Sequence, residues 1–82
     1  MTCKILRLPS LLEQTGYSRG TLYQRVADGL WTHPVPIGLR AVGWPDTEVS
    51  TLIAARIAGK TLPEIRELVL KLEAARASAM PA

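Results

Sequence analysis

The sequence predicts a mainly α fold with a small β-hairpin wing, that is, a winged helix-turn-helix followed by a C-terminal helix. Three observations predict this fold. Residues 8–29 contain two short helical segments joined by a glycine turn, residues 35–44 are punctuated by prolines and glycines, and residues 46–76 return to helical spacing of apolar residues. We therefore expect two units, a winged helix-turn-helix at residues 1–59 and a C-terminal helix at residues 60–82.

The first two helices are predicted from signals at their ends. Pro9 suits the first turn of a helix, where its missing N–H is not needed, and Gly16 suits the position just past the end. The first helix is therefore expected at about residues 9–15. Ser18 is a good N-cap for the second helix, and Gly29 is a good residue to end it.

The second helix is predicted to have one buried and one outward face. Leu22 and Val26 stand four residues apart and should pack on the first helix. The residues expected to point largely outward are Arg19, Gly20, Thr21, Gln24 and Arg25.

The next segment is predicted to be a hairpin. Residues 35–44 read as two short strands around a turn at residues 38–41, and the prolines confine the hairpin to a sheet edge. An isolated hairpin is marginal in water, so residues 5–8 are expected to supply a third strand.

Two further helices are expected. Asp46 is a plausible N-cap for the third, whose apolar positions before Gly59 are Val49, Leu52, Ile53 and Ile57. Thr61 and Glu64 form a capping-box pattern that opens the fourth. The apolar stripe of the fourth helix contains Leu62, Ile65, Leu68, Val69, Leu72 and Ala75. This stripe either completes a small core or, as we expect for its first five members, mediates self-association.

Composition narrows the classes of function. The 82 residues carry a net charge of +3, all of it within residues 1–44, and such clustering is typical of a protein that binds a polyanion. The single Cys3 and the single His33 make neither a disulfide nor a metal site. No apolar run is long enough to cross a membrane. We expect a cytoplasmic bacterial protein that is not an enzyme and that has no cofactor, metal or small-molecule substrate.

Double-stranded DNA is the expected partner. The recognition-helix residues predicted to meet it are Ser18, Arg19, Thr21, Tyr23, Gln24 and Arg25. Arg40, at the tip of the hairpin, is a natural minor-groove probe, and Lys4, Arg7 and His33 are candidates for phosphate contacts. The alternative for the helix residues is an ordinary solvated face, and for Tyr23 it is half-buried packing. Trp31 and Trp44 are expected to lie in the core or to anchor the wing.

An ordered set of motifs supports this prediction. It comprises Arg7-Leu-Pro, Thr15-Gly-Tyr-Ser-Arg, Thr21-Leu-Tyr, Gly29 with an aromatic residue shortly after it, Pro34, and Ala41-Val-Gly-Trp-Pro with Glu48-Val49. Over roughly residues 5–58 the chain resembles the AlpA-like family of prophage and mobile-element regulators, among the MerR-like and excisionase-type winged helices. The resemblance implies a small DNA-binding protein, either a transcriptional activator or an excisionase, also called a recombination directionality factor.

Three hypotheses follow. The leading one is an excisionase of an integrative element that binds near attachment sites and assists an integrase of the tyrosine recombinase type. The second is an AlpA-type transcriptional regulator that acts at a promoter. The third is a protein-interaction module whose apolar helix binds an integrase or a polymerase and whose DNA contacts are secondary. Substitution of Arg25 and Arg40 by alanine would leave only the third function intact.

Overall fold

The structure is a computed structural model that describes residues 4–78. Cys3 and residues 79–82 of the predicted C-terminal unit lie outside the described residues. Within residues 4–78 the chain forms four helices and one three-stranded antiparallel sheet, so the prediction of a mainly α chain with a small hairpin is confirmed. The elements in order are β1 (Ile5–Arg7), α1 (Leu8–Thr15), α2 (Arg19–Ala27), β2 (Val35–Pro36), β3 (Val42–Pro45), α3 (Asp46–Ile57) and α4 (Leu62–Ser78).

A tight turn joins α1 to α2, as the sequence predicts. Helix α1 begins one residue before Pro9 and ends at Gly16, which has a φ of 74° and donates its N–H to the carbonyl of Leu12 at 2.8 Å. That left-handed conformation favours glycine, because it has no Cβ. Ser18 then caps α2, since its hydroxyl accepts the backbone N–H of Thr21 at 3.2 Å.

The end of α2 reverses the chain towards the core. Gly29 has a φ of 76° and donates to the carbonyl of Val26, and Leu30 donates to the carbonyl of Arg25 at 2.8 Å. These two bonds form a Schellman motif. The two residues after the turn, Leu30 and Trp31, are consequently buried.

The sheet has the order β1-β3-β2, with Ile5 opposite Pro45 and Val35 opposite Gly43. Strand β2 is an edge strand, as its proline requires, and β1 supplies the expected third strand. The β2–β3 hairpin is closed by a bond of 2.9 Å from the N–H of Ile37 to the carbonyl of Ala41. The predicted edge position of the hairpin and the predicted third strand are both confirmed.

Gly43 lies where β1 passes closest to β3. A Cβ built at this position would overlap Cγ2 of Ile5 and would lie 2.8 Å from the carbonyl oxygen of Leu6. Because one of these atoms belongs to a paired backbone, the sheet has little freedom to make room. A side chain at position 43 is therefore incompatible with the observed packing of β1 on β3.

The start of α3 differs from the prediction. Asp46 is the first helical residue and Pro45 occupies the cap position, so the assignment of Asp46 as N-cap is wrong by one residue. The reason is that strand β3 passes directly into α3, and the N–H of Asp46 donates to the carbonyl of Lys4 at 2.8 Å. Ile57, counted among the apolar positions of this helix, is 81% exposed.

Helix α4 opens with the predicted capping box. The N–H of Thr61 donates to Oε1 of Glu64 at 3.1 Å, and Oγ1 of Thr61 accepts the N–H of Glu64 at 3.4 Å. The Thr61 hydroxyl also donates to Oε1 of Glu64 at 2.9 Å, and this bond together with the one from the Thr61 N–H holds the pKa of the Glu64 carboxyl below its usual value. Ile65 and Val69 of α4 lie in the same core as residues from the other helices and from β3, so α4 packs on the rest of the chain. The core comprises Leu11, Leu22, Val26, Leu30, Trp31, Trp44, Val49, Leu52, Ile65 and Val69.

The substitution Gly43→Ala tests the packing of β1 on β3. We expect it to lower the free energy of unfolding by about 1 to 3 kcal/mol, the usual cost of forcing extra atoms into a packed site. Gly20→Ala is the matched control, because a Cβ there meets nothing within 4 Å and α2 should gain about 1 kcal/mol. Urea denaturation of both variants measures the difference. Equal stability of the two would contradict the packing described here.

Candidate nucleic-acid interface

One face of α2 is exposed along its length. Leu22 and Val26 fix the helix to the core, whereas Arg19, Thr21 and Gln24 are exposed. Buried residues four apart leave the opposite face of a helix free. No acidic side chain lies within α2, so this face is polar and cationic.

Local hydrogen bonds already order part of this face. Oγ of Ser18 donates to Oγ1 of Thr21 at 2.9 Å, in addition to capping the helix. The side-chain amide of Gln24 donates to Oδ1 of Asp28 at 3.2 Å. Both contacts are exposed, so water or a ligand competes for them. Tyr23 is 40% exposed and so belongs to the exposed residues of α2.

Arg25 has different surroundings from the rest of this set. Its side chain is half-buried, and its guanidinium carbon lies 5.3 Å from the ring centroid of Tyr17. Tyr17 in turn meets Trp31 edge to face, with centroids 5.9 Å apart. A cation over an aromatic face is an attractive arrangement. Arg25 therefore tethers α2 to the aromatic core and points less outward than expected.

The hairpin between β2 and β3 presents a second cationic position. Arg40 is exposed in the turn, and its neighbour Leu39 is fully exposed. At the base of the hairpin, Trp44 is completely buried and donates its indole N–H to the carbonyl of Thr32 at 2.8 Å. Burial of Trp31 and Trp44 confirms their predicted place in the core.

The three candidate phosphate contacts have different surroundings. Arg7 is an exposed residue of β1, and Lys4 is exposed beside it, with its carbonyl paired to Asp46. His33 has an anionic partner within the chain, because Oε2 of Glu73 lies 2.8 Å from its Nδ1 and accepts its backbone N–H at 2.7 Å. Burial raises the pKa of the Glu73 carboxyl, but the hydrogen bonds from His33 outweigh this, so its net pKa lies below the usual value.

A set of contacts from α4, which sequence reasoning missed, holds the segment that follows α2. Nε of Arg66 donates to the carbonyl of Asp28 at 3.0 Å, and the aliphatic part of its side chain covers Gly29. Further along the helix, Arg76 donates to the carbonyl of His33 at 2.8 Å. Arg66, Glu73 and Arg76 together form hydrogen bonds with three backbone groups. These groups are the carbonyl of Asp28 and the N–H and carbonyl of His33. Helix α4 thus supports the C-terminal end of α2.

The strongest of these contacts joins α4 to α3. Glu48 of α3 has a side chain only 6% exposed, and Arg76 meets it through two hydrogen bonds of 2.8 and 2.7 Å. This bidentate geometry raises the pKa of the Arg76 guanidinium above its usual value, chiefly through the hydrogen bonds to Glu48. One sequence signal could have revealed this pair: Glu48 is an acidic residue next to Val49 on the buried face of α3.

The apolar stripe of α4 is divided by the fold. Ile65 and Val69 are buried within the core, and Leu68 and Leu72 are half-buried against it. Leu62 is 45% exposed. Leu70, which lies outside the predicted set, is more exposed than any of these residues. The stripe therefore serves mainly the core of its own chain.

Other kinds of site have little support in the described part of the chain. Within residues 4–78 no group of three histidine, cysteine or acidic side chains is placed to hold a metal ion. None of the described helices combines the length and the apolar character that a membrane span requires.

Comparison with known proteins places the chain in a family. Residues 4–57 match the family model described as prophage CP4-57 regulatory protein (AlpA). The chain is also 35% identical over 57 residues to the uncharacterized protein ORF88 of Enterobacteria phage P4, a match that covers 70% of this chain and 65% of that protein. The chain thus spans slightly less than two thirds of this relative's length. No solved structure matches the chain.

The pair of Glu48 and Arg76 gives a prediction about stability. Arg76→Ala leaves a buried carboxylate without its cation, so we expect a loss of about 3 kcal/mol in the free energy of unfolding, the low end for a buried pair because Arg76 is partly exposed. Lys71→Ala is the matched control, because Lys71 pairs with Glu67 on the exposed face of the same helix and such pairs contribute about 0.5 kcal/mol or less.

Urea denaturation at neutral pH compares these variants. The double substitution Glu48→Met with Arg76→Met should lose less stability than Arg76→Ala, because it removes both charges and keeps the volume filled. If Arg76→Ala and Lys71→Ala were equally stable, the buried pair would have no special role in the docking of α4.

Proposed function

The chain belongs to the AlpA family of prophage regulatory proteins, and on that premise we propose that it is a non-catalytic DNA-binding protein with a winged helix-turn-helix at residues 1–59. In this proposal α2 is the recognition helix and the β2–β3 hairpin is the wing. The observation that carries the proposal is the exposed face of α2, a helix with no acidic residue between Arg19 and Ala27, beside its two buried anchors. A helix of this kind fits the major groove of B-DNA.

The contacts have proposed roles according to their chemistry. Arg19 suits the two acceptors of guanine or a phosphate, and Gln24 suits adenine once its bond to Asp28 is exchanged. The hydroxyl groups of Ser18, Thr21 and Tyr23 would form further hydrogen bonds with the DNA from the same surface. Among the phosphate candidates we set His33 aside, because it already faces a carboxylate.

Arg25 and Arg40 have unequal roles in this proposal. Arg40 is exposed at the hairpin tip and is suited to a narrow minor groove, where negative potential is concentrated. Arg25 is half-buried on Tyr17, so its main role would be to hold α2 in position. We therefore assign base and groove contacts to Arg19 and Arg40 before Arg25.

The small number of base contacts favours several protomers on DNA. One good bidentate contact discriminates by about 1 to 3 kcal/mol, so one recognition helix gives limited specificity. We propose that copies bind adjacent sites and associate through the outer surface of α4, within residues 60–82. Of the five residues predicted for this role, Leu62 and the half-buried Leu68 and Leu72 remain available, because Ile65 and Val69 are occupied in the core.

Within this function we propose an excisionase role. A small protein without catalytic groups that binds repeated sites beside an attachment junction would favour excision by a tyrosine recombinase, because it arranges the DNA. The second candidate is a transcriptional regulator at a promoter, and the description of the matched family as a regulatory protein favours it. The same exposed α2 face serves either role.

DNA binding is tested first through its salt dependence. The probe is a labelled duplex carrying a site that the protein selects from a random-sequence library. Arg19→Ala and Arg40→Ala should each weaken binding, and each should reduce the slope of log Kobs against log salt concentration by about 1 if the contact is to phosphate.

Lys71→Ala is the control for this measurement, since it removes an exposed cation from α4 and should leave the slope unchanged. Circular dichroism verifies that the variants are folded. If Arg19→Ala and Arg40→Ala bound like the unsubstituted protein, the assignment of α2 and the hairpin as the DNA surface would be wrong.

The excisionase role is tested by reconstitution. The reaction contains the cognate integrase, a supercoiled substrate with both attachment junctions, any required host bending protein and this protein in increasing amounts, with footprinting in parallel. We expect excision to depend on the protein and protection to cover repeated sites beside a junction.

The double variant Arg19→Ala with Arg40→Ala should fail to stimulate excision. Protection of a promoter without any effect on excision would instead establish the regulatory role. Stimulation that survives loss of DNA binding would favour a protein-interaction module.

A further inference from the structure

The tip of the β2–β3 hairpin carries an apolar side chain that is fully exposed to solvent. Leu39 is fully exposed, more so than any other large apolar residue in the described part of the protein. A single exposed leucine is common on protein surfaces, so exposure alone has no meaning. The position of Leu39, between Gly38 and Arg40 at the end of a protruding turn, is the informative feature.

A hydrogen bond and a proline constrain the backbone of the hairpin below this tip. The turn is closed by the hydrogen bond from Ile37 to Ala41, and Pro36 restricts the backbone of the outer strand. At the base, Trp44 is completely buried and its indole N–H is bound to the carbonyl of Thr32. A side chain at the tip is therefore attached to the hydrophobic core through one short, paired hairpin.

The surroundings of Leu39 suit a narrow, negatively charged groove. Arg40 follows it directly, and residues 29–45 contain no acidic side chain. Gly38, immediately before it, adds no bulk to the tip. An apolar side chain next to a guanidinium matches the minor groove, where a cation is attracted by the phosphates and an apolar group meets sugars and base edges.

We propose that Leu39 is a wedge that enters the minor groove and inserts between two base pairs, while Arg40 binds in the same groove beside it. Side chains inserted in this way unstack one base step and bend the duplex towards the major groove. The proposal rests on the DNA-binding function proposed above and adds a physical action to it: the wing bends the DNA. The energy of unstacking is offset by contacts that the bent duplex makes with the protein.

The experiment measures bending by energy transfer between dyes on the two ends of a duplex of about 30 base pairs that carries the selected site. The unsubstituted protein should shorten the end-to-end distance, with a bend in the range of about 20 to 90° that inserted side chains produce. Leu39→Ala should still bind but should reduce the bend by about half or more, and Leu39→Met, which keeps an apolar side chain of similar size, should retain it.

Ile57→Ala is the matched control, because Ile57 is also an exposed apolar residue but lies at the end of α3. Its bend angle should equal that of the unsubstituted protein. A full bend with Leu39→Ala, or a straight duplex with the bound unsubstituted protein, would overturn the wedge alone. The wedge would also be overturned if Leu39→Ala lost only cooperativity between protomers, which would identify a second copy of the chain as its partner. Failure of the unsubstituted protein to bind any duplex would reject the proposed DNA-binding function itself.

Discussion

The ion pair between Glu48 and Arg76 determines how the two helical parts of this protein meet. A carboxylate that is nearly inaccessible to water is costly unless a cation and hydrogen bonds satisfy it, and Arg76 provides both. The observed placement of α4 brings that guanidinium to Glu48. The same placement lets Arg76 bind the carbonyl of His33, so the pair aligns α4 with the segment after α2. Its main contribution is therefore the specificity of docking.

This docking matters for α2, which is constrained from both ends. The glycine turn and the cap by Ser18 set where the helix begins, and the turn at Gly29 with the bond from Arg66 sets where it ends. Arg25 adds a lateral contact through Tyr17. A helix held in this way loses little conformational entropy when its exposed face binds a rigid ligand. The cationic side chains thus stand on an ordered support within a very small domain.

The sequence predicted the features that depend on neighbouring residues. The positive φ of Gly16, the cap by Ser18 and the capping box of Thr61 with Glu64 are written within a few positions of the chain. The contacts of α4 were not predictable in this way, because Glu48 and Arg76 are 28 residues apart and His33 and Glu73 are 40. Helical spacing also gave an incomplete picture of Ile57 and Arg25. Periodicity shows on which side of a helix a residue lies, but it does not show which other part of the chain packs against that side.

The position of Ile65 and Val69 has a consequence for how similarity and folding relate in this protein. The family match ends at residue 57, yet these two residues beyond it share one core with Trp31, Trp44 and Leu52. Removal of α4 would open that core and uncover Glu48. The segment that matches the family and the segment that shares one core are therefore different in extent. In this chain the matched segment is smaller than the packed unit, so we expect changes in α4 to affect a surface that α4 does not itself form.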